Sequence, residues 1–191
     1  TGYIGDGTSG VYIFGAQLEQ KSYATSYIPT SGSTATRLGE TANNAGGAGV
    51  FNSKEGVLYA EIAALAEESD SKRITISDGT LANRITIIVL DNIVTGFVNV
   101  NNVTQYTFYE SNINVTDTLK IALKYKINDF ATWINGTEYD VSSSGNTFAD
   151  NTLTELAFDN SQGNNKFFGK VKNLKVFNYA LTDEELQTLT T

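Results

Sequence analysis

Leu119, Ile121, Leu123 and Tyr125 alternate with Lys120, Ala122, Lys124 and Lys126. This period of two predicts a β-strand with one face in a core and the other toward water. Shorter runs of the same kind follow one another from Gly56: Val57 to Ala64, Arg73 to Ser77, Arg84 to Leu90, Ile93 to Val100 and Gln105 to Tyr109. Asp78-Gly79, Asp91-Asn92 and Asn101-Asn102 separate them as turn signals. Past Asn128-Asp129, Phe130 to Asn135 and Thr137 to Val141 flank Asn135-Gly136, a strong hairpin signal because both residues tolerate positive φ. Leu153 to Phe158 predicts one more strand, and Asp159 to Lys166 a polar loop.

The closing stretch carries a strand and the one clear helix signal. Lys170, Lys172 and Lys175 interrupt Phe168, Val171, Leu174, Val176 and Phe177. The odd step from Val171 to Leu174 breaks the period and predicts a bulge near Lys172 or Asn173. Thr182 and Glu185 have capping-box spacing, Leu181 and Leu186 that of a hydrophobic staple, and Asp183, Glu184 and Glu185 suit the positive end of a short terminal helix. At the other end, Val11 to Leu18 alternates as a strand, and Ser22 to Gly49 reads as a linker or extended arm around the single Pro29. Tyr23, Tyr27 and Ile28 are its apolar anchors, expected to pin the arm onto the following domain.

The 191 residues suffice for one substantial core, and 17 Gly, one Pro, ten Tyr and ten Phe favour short strands joined by turns. The net charge of −8 opposes nucleic acid and anionic membranes as partners, and no apolar run reaches the length of a bilayer span. Cysteine and histidine are both absent. That excludes disulfides, thiol chemistry, Ser-His-Asp catalysis and His-based zinc sites. Methionine is also absent, so the chain is expected to be a piece of a longer polypeptide.

Two passages resemble the concanavalin A-like, laminin-G-like jelly-roll family: TLKIALKYKINDFATWINGTEYDV, like its central hairpin, and the closing G-x-V-x-x-L-x-V-F-N-x-A-L-T-D-E-E-L. The resemblance covers Gly56 to Leu189 and implies an all-β, antiparallel jelly-roll β-sandwich with one short C-terminal helix clipped on outside. Residues 50–191 would form that domain, after a linker at 22–49 and, at 1–21, the last strand of a preceding module. YIFGAQLEQKSYATSYIPTSGSTATR is similar to a junction in bacteriophage tail and fibre proteins. It implies a virion location, with a secreted or cell-surface bacterial protein as the alternative, and a homotrimer.

The fold hosts lectins, glycosidases, lyases and adhesion modules, so activity has to come from a site. Glycosidic hydrolysis needs two carboxylates about 5 to 10 Å apart. Glu138 with Asp140, and Glu68 with Asp70, satisfy that if each pair shares a strand face. Neither continues into the E-x-D-x-x-E strand that the resemblance implies for its glycosidases, and the histidine of its alginate lyases is missing. No catalytic residue is therefore expected; a polysaccharide hydrolase or lyase stays as an alternative, as does a purely structural trimerising module.

The expected function is non-catalytic binding of a surface polysaccharide. Alternation puts Trp133 and Asn135 on the face opposite Phe130, Thr132 and Ile134. An indole can stack on a sugar while Asn135, Glu138 and Tyr139 bond its hydroxyls, although the same position also fits a tryptophan packed inside a curved sheet. Tyr106, Phe108 and Tyr109 are read as core or subunit contact. Asp159 and Asn160 open an oxygen-rich loop that offers a weak calcium site or an ordinary turn.

Overall fold

The computed structural model describes residues 6–8, 10, 12, 14–18, 26–36 and 45–191, in two units, Thr1–Glu40 and Thr41–Thr191. In the first unit, no described residue of the Val11 to Leu18 run lies in a strand, and Tyr12, Phe14 and Leu18 are exposed. Val11 and Ile13 of the same run lie outside the described residues. Tyr27 packs on Phe14 at 5.5 Å, and the Ile28 N–H donates to Gln17 Oε1 at 2.7 Å, so these anchors hold their own unit. Tyr23 lies outside the described residues.

Among the described residues the second unit holds β1 (Glu55–Ala64), β2 (Lys72–Ser77), β3 (Arg84–Leu90), β4 (Ile93–Val100), β5 (Val103–Ser111), β6 (Leu119–Lys126), β7 (Phe130–Ile134), β8 (Thr137–Ser142), β9 (Glu155–Ala157), β10 (Gly169–Phe177) and α1 (Asp183–Thr190). The first sheet has the order β10-β1-β6-β7-β8 and the second β5-β4-β3-β2-β9. Every pairing is antiparallel. Ile74, Ile76, Ile85, Ile87 and Val98 of the second sheet meet Leu58, Ile62, Ile121, Leu123 and Phe130 of the first in one core. Each such side chain contributes about 1.5–3 kcal/mol of apolar burial.

Sequence details appear where the pattern placed them. Glu61 pairs with Asn173 and Ile62 with Val171, which leaves Lys172 as the extra residue of the bulge. Asn135 (φ 49) and Gly136 (φ 79) form the β7–β8 turn. The Thr182 hydroxyl accepts the Glu185 N–H at 3.3 Å, and the Glu185 carboxylate accepts the Thr182 N–H at 2.8 Å.

Three expectations change. The face of β6 expected in water is largely covered, with Ala122 and Lys124 0% and 6% exposed, because α1 docks there through Leu181 and Leu186. This lid also explains why β1 and β7 are buried on both faces. The Leu153 to Phe158 strand shrinks to β9, although Leu153 remains fully buried. Ala45 exchanges both backbone hydrogen bonds with Leu156, at 3.2 and 2.9 Å, so chain assigned to the arm already belongs to the edge of the second sheet.

Candidate functional site

Trp133 does lie on the outer face of the first sheet, opposite the main core, but it is not available to a sugar. Leu181 and Leu186 of the α1 segment cluster over it with Val57, Tyr59, Ala122 and Ala131, leaving it 8% exposed. Its expected stacking role is therefore corrected to packing under the helix, with Nε1 buried and unpartnered. Asn135 is committed to its turn, where its side-chain oxygen accepts the Lys120 N–H at 2.9 Å. Glu138 is exposed opposite Trp133, and Tyr139 is 41% exposed. Those two keep their place as surface groups, without the indole between them.

The carboxylate pairs change as well. Trp133 pairs with Glu138 and Thr132 with Asp140, so a bulge at Tyr139 puts the partners of Glu138 and Asp140 on opposite faces of β7. The shared face assumed from spacing is lost. Glu68 lies in the β1–β2 loop, 3.4 Å from the Lys72 ammonium, so strand geometry does not apply to Glu68 and Asp70.

Asp159 and Asn160 are 1% and 8% exposed. Asp159 Oδ1 accepts the Ser161 N–H at 2.7 Å, and Asn160 Oδ1 accepts those of Gln162 and Asn164 at 3.0 and 3.1 Å. One side-chain oxygen of each residue is thus turned onto the loop's own backbone, and among the described residues no cluster of three metal-ligating side chains occurs. The loop instead folds over the second sheet, where the Asp159 carbonyl accepts the Thr75 hydroxyl at 2.7 Å.

On the outer face of the second sheet Thr75, Thr86 and Ile88 are covered, and polar and aromatic side chains open toward β4 and β5. Alternation sends Ile74, Ile85, Val98 and Phe108 inward, and Arg73, Arg84, Phe97 and Tyr109 outward. Register aligns Thr86, Phe97 and Thr107 in one row, and Ile88, Thr95 and Tyr109 in the next. Tyr109 is 64% exposed, whereas Tyr106 and Phe108 are core residues. The Arg84 guanidinium lies 4.8 Å from the centre of the Phe97 ring, and its Nη1 donates to the Asn160 carbonyl at 3.4 Å. Its Nε is buried without a partner, and so is the hydroxyl of the next loop residue, Ser161. Arg73 donates from Nε to Ser71 Oγ at 3.4 Å. Burial lowers both arginine pKa values, and the charge of Arg73 lowers that of Arg84 further.

Sequence reasoning missed these two arginines because each reads alone as a charged strand start. The available signal was their common phase, since both precede inward isoleucines, Ile74 and Ile85, on the two strands of one hairpin. A shallow groove of about 490 Å³ runs beside α1 and is lined by Phe177, Tyr179, Leu181, Glu184 and Leu189 among others.

Sheet order and core together define an antiparallel jelly-roll β-sandwich with one short helix. The chain matches no known family model and no curated protein sequence. Solved structures share the fold. The CBM40 of Ruminococcus gnavus IT-sialidase bound to α2,3 sialyllactose superposes with a TM-score of 0.59 at 14% identity, over 72% of this chain and 83% of that one. Domain 4 of AbnA, a GH43 extracellular arabinanase from Geobacillus stearothermophilus in complex with arabinotriose, gives 0.60 at 12% identity, over 76% and 70%. The heptameric SAP-like pentraxin of Limulus polyphemus gives 0.58 at 12%, over 78% and 74%.

Proposed function

We propose that the sandwich is a non-catalytic carbohydrate-binding module that takes its glycan on the open outer face of the second sheet. The observation that carries this reading is the fold shared with two domains solved with an oligosaccharide bound, sialyllactose in one and arabinotriose in the other. The placement rests on exposure. The first sheet hides its tryptophan under α1, while the second presents Phe97 and Tyr109 beside Thr95 and Thr107. Aromatic faces take the C–H side of a sugar ring and hydroxyls take its polar edge. The separation of Glu138 from Asp140 and the missing glycosidase motif support the non-catalytic part.

The GAQLE-to-YIPT junction supports placing this module in a phage tail or fibre protein, carried on a virion and recognising host or environmental surface polysaccharide. A homotrimer belongs to the same reading, and a monomeric mass in solution would remove it. For the glycan, a bacterial polysaccharide array is the direct test. Binding that Tyr109→Ala weakens and Tyr179→Ala leaves unchanged is expected. The opposite result moves the site to the groove beside α1, and no binding by folded protein at millimolar sugar ends the carbohydrate reading.

A further inference from the structure

Arg73 and Arg84 are unusual in this chain. It carries 21 acidic residues against 13 basic ones, yet among the described residues neither guanidinium forms an ion pair with a carboxylate. Among the described residues five lysines find carboxylates on the same domain, including Lys124 with Asp129 at 2.7 Å and Lys172 with Glu61 at 2.7 Å. The two arginines instead share the outer surface of the β2–β3 hairpin, Arg73 opposite Ile88 and Arg84 opposite Ser77, and the charge of Arg73 lowers the pKa of Arg84. Like charges brought together without a counter-charge oppose folding, and the arrangement persists because the loop and sheet hold it.

Two buried polar atoms without partners belong to Arg84 and to the loop that its guanidinium touches. Arg84 Nε is one and Ser161 Oγ is the other, with the Asn160 carbonyl that touches Arg84 Nη1 one residue from that hydroxyl. Buried donors are normally satisfied, so a pair of orphans beside unpaired positive charge needs an acceptor. Ser161 is held there with φ 80, in the left-handed region that a non-glycine residue rarely takes. The unmet groups are N–H and O–H donors around a guanidinium, which match a planar or tetrahedral oxyanion and match a neutral hydroxyl poorly.

We infer that Arg73, Arg84 and Ser161 form an anion subsite that receives the acidic substituent, a carboxylate or a sulfate ester, of a negatively charged glycan lying across Phe97 and Tyr109. The inference rests on the carbohydrate reading for the rest of the ligand, but the anion pocket itself does not. Arg84 donates from Nε, Ser161 donates its hydroxyl, and Arg73 supplies the second positive charge. The ring of the same sugar extends over Phe97, next to the guanidinium that stacks on it.

The test has two arms on the full 191-residue chain. In the first, inorganic sulfate is titrated while the arginine side-chain N–H signals are followed by NMR. A saturable shift of the Arg84 Nε–H that Ser161→Ala weakens is expected; signals that move only with bulk ionic strength overturn the subsite. In the second, uronate-containing and sulfated polysaccharides are compared with their carboxyl-reduced or desulfated forms. The acidic form is expected to bind about tenfold or more tighter, the weight of one charge-assisted hydrogen bond. Arg84→Gln and, separately, Arg73→Gln are expected to erase that preference while binding of the neutral form persists. Equal binding of acidic and neutral forms overturns the inference and leaves the carbohydrate reading standing. A sulfate response with no polysaccharide binding does the reverse. The carboxylate and sulfate series identify which substituent the site prefers.

Discussion

Leu186 is the side chain through which α1 is seated, and truncating it measures how much of the first sheet's outer face depends on the helix. It is fully buried in a cluster with Val57, Tyr59, Ala122, Ala131 and Trp133. Leu186→Ala removes an isobutyl group down to a methyl, about 2.4 kcal/mol at about 0.8 kcal/mol per carbon. The cavity left behind raises the cost to about 3 kcal/mol, because the sheet beneath cannot collapse upward and the capping box fixes the helix start. With a urea dependence of about 2 kcal/mol per molar, the unfolding midpoint should fall by about 1.5 M. The single tryptophan lies under the same helix, so it reports directly. Native Leu186→Ala should emit further to the red and be quenched by acrylamide more readily, while Thr188→Ala, on the exposed side of α1, changes neither property. A midpoint within about 0.3 M of the parent, together with an unchanged, shielded indole, would refute the docking argument.

Burial raises the pKa of both Tyr106 and Tyr125 above 10.0, with nearby carboxylate charge adding to it. The unfolded chain ionises first, so their stabilising contribution is complete below pH about 10 and is lost as pH rises above that. Alkaline unfolding monitored at the tyrosinate absorbance should be cooperative, and gradual titration of all tyrosines in a folded protein would contradict it. Tyr106→Phe, which removes a hydroxyl 3.0 Å from both Thr132 Oγ1 and the Asp140 carbonyl, should cost about 1–2 kcal/mol in urea unfolding. Asp129→Ala leaves the buried Lys124 ammonium with only Asp183 at 3.4 Å and should destabilise by about 1–2 kcal/mol, whereas Lys124→Met should be nearly neutral. A Cβ on Gly96 would sit 2.3 Å from the Thr86 carbonyl oxygen and 2.6 Å from the Phe108 ring, so Gly96→Ala should lose about 1–3 kcal/mol by thermal or chemical unfolding.

Local rules carried the fold a long way. The Lys172 bulge, the Asn135-Gly136 turn and the Thr182 capping box are each decided by a few neighbouring residues, and each appears where the pattern put it. What depended on distant chain was hidden. Ala122 and Lys124 look like a wetted face until α1, some sixty residues later, lies across them. Tyr139 disturbs β8 without a break in its own alternation, so the pairing of Glu138 and Asp140 was misread. The site was less legible for the same reason. Trp133 was placed on the correct face, yet its cover could not be read from its own strand, and Arg73 and Arg84 come to one face only through hairpin register, beside a loop that arrives from beyond β9.

The helix over Trp133 leaves the domain with two unlike sides, one closed by its own chain and one presenting Phe97, Tyr109 and the arginines. If the open side is the glycan surface proposed above, one such body would not bridge two polymers by itself. On that proposal valency would come from copies, and each copy added with its open side toward the same target would multiply effective concentration without any new contact. The orientation of that side, set by what tethers each copy, would then govern adhesion more than the affinity of any one sandwich.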